Sequence, residues 1–170
     1  MSDGLIWGVG FPKSRRQQFR YATAVMSLKW QSVLAFGLMV LGLIWLVQRQ
    51  EVFARSLPAQ IVQGCAVGLM VAARITFGKR SFHAAANPTV GGLVTTGPYR
   101  WLRHPIYAAI LYFIWATALD HRSYHAIAAA GLVTAGAIVR MYAEETLLIG
   151  KYPEYATYRA RTARVIPFVL

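Results

Sequence analysis

Two places in this sequence hold residue types that can do chemistry: residues 93–107, LVTTGPYRWLRHPIY, and the adjacent acids Glu144 and Glu145. In the first, Gly97-Pro98 marks a turn. Arg100, Arg103 and His104 then crowd the start of an apolar run, with Pro105 in its first turn, where a missing N–H costs little. Tyr99 and Tyr107 flank them. Cationic and imidazole groups at the mouth of an apolar helix need a compensating partner. A basic loop that only sets topology explains the arginines, but not the histidine and the two tyrosines gathered with them. We read the partner as a bound cofactor together with Glu144 and Glu145.

Those two are among only six acidic residues. An acid at membrane depth costs about 2.5–3.5 kcal/mol on insertion scales and so calls for a partner of its own. Arg140 lies one helical turn before Glu144 and shares its face. Glu145 is turned by about 100° from Glu144, so the two cannot point at one spot equally. An ordinary Arg–Glu pair at a helix end is the plainer reading of Arg140 and Glu144.

The elements that must position these groups are apolar. Hydrophobic residues make up 56% of the 170, and charged residues 14%, well below the roughly 25% of a soluble domain. The chain has room for one unit, read as a single domain over 1–170. Its basic balance does not point to nucleic acid, because the 18 Lys and Arg sit in the gaps between apolar runs and form no single patch. The lone Cys65 lies in an apolar run, which leaves no disulfide framework and assigns it to packing.

Residues 1–27 read as a cytosolic or interfacial segment, with an apolar patch at 5–11 and a basic run from Lys13 to Arg20. A signal peptide is not expected, since the run 28–47 is too long for a signal core and no small-residue cleavage site follows it. That run and Leu57–Phe77 are each long enough to span a core of about 30 Å. Gly64 and Gly68 have the spacing that lets helices approach closely. The loop 78–104 is read as ordered from its Pro, Gly and aromatic content. The runs 106–119 and 126–139 are short alone. They read as a helical hairpin whose ends extend from near Arg103 and through Arg140 to Ile149, joined by a polar turn at 120–125. Small residues in the fourth run, Gly131 and Gly136 among them, favour close packing. The tail reads as an interfacial helix, with Tyr155, Tyr158 and Thr162 on one face and Arg161 and Arg164 on another. The fold class is therefore all-α: an integral membrane helical bundle of about four transmembrane segments, with a C-terminal hairpin and an interfacial tail helix.

Taken in order, Gly97-Pro98-Tyr99-Arg100, Arg103-His104-Pro105-x-Tyr107, Arg140-x-x-x-Glu144-Glu145, Tyr155-x-x-Tyr158 and Arg164-x-Ile166-Pro167 resemble the isoprenylcysteine carboxyl methyltransferase family and its prokaryotic relatives. The resemblance covers residues 93–167, and it departs at Lys151-Tyr152-Pro153, where many relatives have Phe-Gly. It implies methyl transfer from S-adenosylmethionine at the cytoplasmic face of the membrane. The cofactor-binding residues it implies are Val94, Gly97, Tyr99, Arg100, Arg103, His104, Pro105, Tyr107, Glu144 and Glu145. The catalytic ones are Arg140, Glu144 and His104.

These residue types suit that cofactor. A carboxylate can hold its amino group, Arg100 or Arg103 its carboxylate, and a tyrosine ring its cation. A carboxylate acceptor, the leading reading, needs no base and would be oriented by Arg140. An amine acceptor would give up its proton to Glu144 or His104. The acceptor is read as a lipophilic small molecule, lipid or lipidated carboxylate. The competing readings are a phospholipid or amine N-methyltransferase, an NADPH-dependent sterol-type reductase, and a non-enzymatic membrane scaffold. No metal is implied. His121 and His125 are four apart, but no third ligand is within reach by sequence.

Charge sets the expected orientation. Fifteen of the 18 Lys and Arg fall before or within the first run, in the central loop region, or on the C-terminal side; only Arg49, Arg55 and Arg122 lie on the other links. Positive residues favour the cytoplasmic side. A tag inserted at 120–124 should therefore be reachable only from outside and tags at either terminus only from the cytoplasm, as read by labelling in intact cells. A cytoplasmic 120–124 turn would invert the assignment.

Overall fold

Between Arg15 and Phe36 the sequence holds neither proline nor glycine, so nothing there breaks a helix. Helix α1 (Arg15–Gln48) runs straight through it, thirteen residues further back than the apolar run at 28–47 implies. The computed structural model describes residues 15–78 and 92–167. The apolar patch 5–11, Lys13, Lys79, Arg80 and the rest of the central loop through residue 91 lie outside the described residues. After α1 come α2 (Leu57–Phe77), a 3-10 turn (Gly97–Arg100), α3 (Pro105–His121), α4 (Tyr124–Lys151) and α5 (Tyr155–Arg159).

Three of these helices are long and apolar enough to cross a membrane: α1 from Ala22, α2 and α4. The 17 residues of α3 make a helix of about 25 Å, short of the roughly 30 Å of a bilayer core. The expected fourth segment is this shorter helix, packed between α2 and α4. Helix α1 packs on α4, α4 on α3, and α3 on α2. The outward faces of α1 and α2 stay apolar, with Leu34, Leu41, Ile61, Val67 and Ile75 exposed, as a lipid solvent requires. Trp30, Trp45, Trp101 and Trp115 are exposed too, in keeping with interfacial or lipid-facing roles.

The tightest helix contact is between α1 and α4. A Cβ on Gly136 would lie 2.7 Å from the Ala35 carbonyl oxygen, and one on Gly42 would lie 2.8 Å from Val133. Met39 and Leu46 fill the seam against Ala129, Val133 and Ala137. The Gly64/Gly68 pair does not play the part its spacing suggested: a side chain at either would meet nothing within 4 Å. The buried stripe of α2 is Gln63, Ala66 and Ala73, and the two glycines fall beside it. Gln63 makes that stripe specific, donating to Thr117 Oγ1 of α3 (2.7 Å) and accepting from Ala54 N (3.0 Å).

At the end of the bundle away from the basic loop, helix termini cap one another. Asp120 of α3 accepts from the backbone N–H groups of Arg55 and Ser56, at the start of α2. Ser123 caps α4 by accepting from Ala126 N and donates to Glu51. His121 bonds the Phe53 carbonyl and His125 meets Arg49, so each imidazole has its own partner. Among the described residues no group of three His, Cys, Asp or Glu is arranged to hold a metal.

The α1–α4 seam can be tested directly. Gly136→Ala should lower stability by about 1–3 kcal/mol in detergent denaturation, because the new methyl must displace the α1 backbone. Gly64→Ala should show no loss. Equal effects at both positions would contradict the packing described.

Candidate active site

The site is built where backbone from two distant parts of the chain pairs. Leu102 and Ala163 form a parallel bridge. Arg103 N donates to the Ala163 carbonyl (2.7 Å), His104 N to the Arg164 carbonyl (3.1 Å), and Ala163 N to the Trp101 carbonyl (3.1 Å). Pro105 disfavours helix at the residue before it. His104 accordingly stands at φ −128°, ψ 60°, with its N–H free to reach the tail. Tyr158 OH donates to the Tyr99 carbonyl (2.7 Å), fastening α5 to the 3-10 turn. That turn is seated on the end of α2. Gly97 has φ 55°, and a Cβ there would lie 2.5 Å from Thr76 Oγ1, so both the backbone angle and the space call for glycine. The Tyr99 ring lies 5.4 Å from that of Phe77.

This pairing changes the reading of the tail. The expected interfacial helix ends at Arg159, because the loop takes the backbone groups of Ala163 and Arg164 that a longer helix would need. Tyr155 and Thr162 are buried, and Tyr158 is half-buried against the turn. Arg161 remains exposed. Arg164, expected beside it on an outer face, instead turns inward.

Its target is Glu145, which is only 4% exposed. Arg164 grips it with Nε to Oε1 and Nη2 to Oε2, both at 3.1 Å. His104 Nε2 lies 3.1 Å from Oε1. Arg103 Nε is 3.3 Å from the same oxygen but lacks hydrogen-bond geometry, and Arg159 Nε stands 4.0 Å from Oε2. The Arg103 guanidinium is anchored from its other side by donating Nη1 to the Arg159 carbonyl (2.6 Å).

Glu144 belongs to a second, connected set. Tyr107 OH donates to its Oε1, and Arg140 donates Nε to the Tyr107 oxygen (2.6 Å) and Nη2 to Glu144 Oε1 (3.3 Å). Arg140 Nη1 also reaches the Ser32 carbonyl of α1 (3.2 Å). His104 Nδ1 lies 3.7 Å from Glu144 Oε2. The two acids diverge as helix geometry requires, yet a single imidazole lies between them, one nitrogen toward each.

The remaining candidates lie in the loop and at the start of α3. Arg100 is exposed, its guanidinium 5.2 Å from the Trp101 ring centroid. Val94 is half-buried in the extended stretch before the turn, and Pro105 is buried at the start of α3. Burial raises the phenol pKa of Tyr99 and Tyr155 and pushes Tyr158 up to about 12, so all three are neutral rings near pH 7. The hydrogen bond to Glu145 raises Arg164 above the ordinary guanidinium value and holds its charge. Arg159 and Arg164 carried no site role in the sequence reading. The available signal was the need of a buried acid for a cation, together with the place of Arg164 in the motif order.

Membrane-length apolar helices, with a satisfied charge cluster buried at one end, define an integral membrane protein whose polar chemistry lies at one end of the bundle. Residues 62–155 match the family model of the phospholipid methyltransferases, and the chain belongs to that family. It is a family of the same membrane methyltransferase superfamily as the isoprenylcysteine carboxyl methyltransferases. No curated protein and no solved structure matches the chain. The protein is thus a membrane methyltransferase, and its family implies S-adenosylmethionine as the methyl donor. The match favours methyl transfer over the reductase and scaffold readings. It includes His104, Tyr107, Arg140, Glu144 and Glu145, and it stops short of Arg159 and Arg164.

The grip on Glu145 predicts an asymmetry within the tail. Arg164→Ala should cost about 1.5–3 kcal/mol in detergent unfolding, because it leaves a buried carboxylate short of its bidentate partner. Arg161→Ala, at an exposed position, should change little. If the two variants unfold alike, Arg164 does not hold Glu145.

Proposed function

We propose that the protein methylates the headgroup amine of a membrane lipid, using the cluster of His104, Glu144 and Glu145. The observation that carries this reading is one imidazole between two carboxylates of which only one is saturated. Glu145 is taken up by His104 and Arg164. The Glu144 side chain is 25% exposed and remains open to a ligand. The donor set fits the cofactor: an accessible carboxylate beside Tyr107, with Tyr99 close enough to feel its charge, suits an amino group and a sulfonium. When bound, S-adenosylmethionine supplies a methyl group already activated for in-line displacement.

The residues of the chain then position and deprotonate. Glu145 can only accept, so His104 Nε2 is the nitrogen that presents a proton to it, and Nδ1, the nitrogen toward Glu144, is the one placed to exchange a proton with a ligand. An acceptor ammonium drawn to Glu144 comes beside Nδ1, which takes one proton and frees the amine lone pair. Bound beside Tyr107 and Tyr99, S-adenosylmethionine would supply its methyl group to that lone pair, its sulfur leaving as a neutral thioether and the amine becoming a methylated ammonium. Arg140 acts as a positioning residue. Its guanidinium is held by Tyr107, Glu144 and the Ser32 carbonyl, and it orients Glu144 in turn. A carboxylate acceptor would meet the charge of Glu144 and would find Arg140 already engaged; it would also need no base. These points favour the amine over the carboxylate that the resemblance first suggested.

The test is labelled methyl transfer in vesicles holding either an amine phospholipid or a long-chain carboxylate. Label should enter the amine lipid. His104→Gln should lower that turnover about 10²–10⁴-fold with a much smaller change in cofactor affinity. Label found only in the carboxylate would overturn the amine assignment. Full turnover by His104→Gln would remove the imidazole from proton transfer.

A further inference from the structure

Beyond the reacting cluster, on the tail side of Glu145, a cleft of about 730 Å³ opens between the end of α4, α5 and the last described residues. Its polar groups are the guanidinium side chains of Arg103, Arg159 and Arg164, and its walls include Ile149, Val165 and Ile166. No acidic residue is among the described residues that line it. Glu145, behind the arginines, offsets one of their three charges, and Arg164 takes most of that carboxylate. The cleft is left with the equivalent of two positive charges.

A second observation points to a missing partner. Arg103 is only 8% exposed and lines the cleft, yet its Nε, which faces Glu145 Oε1 at 3.3 Å, makes no hydrogen bond with it. Buried guanidinium groups are costly unless their donors are used. We propose that this cleft binds the phosphate of an anionic phospholipid, with the first carbons of the lipid against Ile149, Val165 and Ile166. Charge selects the ligand class. A zwitterionic headgroup would bring an ammonium toward three guanidiniums with no lining acid to receive it. A free anion would leave the apolar walls unused. A phosphate between Arg103 of the loop and Arg159 of α5 would add a charge-assisted bridge to the backbone pairing already described. The lipid here is bound and not methylated, so the inference stands apart from the choice of acceptor.

The experiment uses the full chain in detergent, titrated with phosphatidylglycerol or phosphatidylcholine, with retained lipid measured by native mass spectrometry. Cofactor affinity is measured on the same preparations. Phosphatidylglycerol should bind at least about tenfold more tightly than phosphatidylcholine. Arg159→Gln, at a side chain 47% exposed, should weaken phosphatidylglycerol about tenfold and leave phosphatidylcholine and the cofactor unchanged. Arg159→Lys should lose less. The proposal is overturned by equal binding of the two lipids, or by phosphatidylglycerol binding that ignores Arg159→Gln. A loss of cofactor affinity without a loss of lipid would give the cleft to the cofactor. Full displacement of the lipid by inorganic phosphate would show that the apolar walls contribute nothing.

Discussion

Burying a carboxylate costs several kcal/mol unless opposite charge and hydrogen bonds replace the water it loses. Glu145 meets that cost with three groups from two places in the chain: His104 and Arg103 from the loop, and Arg164 from the tail. The backbone pairing of 102–104 with 163–164 delivers these side chains to one point, and the carboxylate in turn holds loop and tail against α4. Removing any one partner leaves charge stranded in a low-dielectric site, which couples the elements more firmly than apolar contact alone would.

The same buried network reaches the far side of the bundle. Arg140 links Glu144 and Tyr107 to the Ser32 carbonyl of α1, a helix outside the residues that carry the family match. The approach of α1 to α4 at Gly136 is what lets that guanidinium reach a backbone carbonyl across the seam. Helix packing and site geometry are therefore one problem in this protein. A shift of α1 would move Arg140, and with it Glu144, the more exposed acid of the pair.

Division of labour between the two glutamates follows from this arrangement. Glu145 is saturated and serves to fix the imidazole. Glu144 is bonded through Oε1, is 25% exposed, and has Oε2 3.7 Å from Nδ1 of the same ring. Neighbouring acids on one helix are thus given opposite tasks by what surrounds them. Methyl transfer from an activated donor asks the protein chiefly for positioning, and on the amine acceptor proposed above it also asks for control of one proton.

The sequence by itself determined the membrane class, the second helix to the residue, the hairpin that follows the loop, and that His104, Tyr107, Arg140, Glu144 and Glu145 belong near one another. It could do so because apolar run length, turn residues and clustered charge are local properties, read without knowing what touches what. It misplaced the helix contact at Gly64 and Gly68, because the spacing of small residues says nothing about which face meets a partner. It also carried the tail helix past Arg159 and put Arg164 on one face with Arg161. Local periodicity permits that helix, and only pairing with the loop segment 102–104, far earlier in the chain, forbids it. Tertiary structure alone decided that one histidine would lie between two acids that point apart, since their meeting place is on another helix.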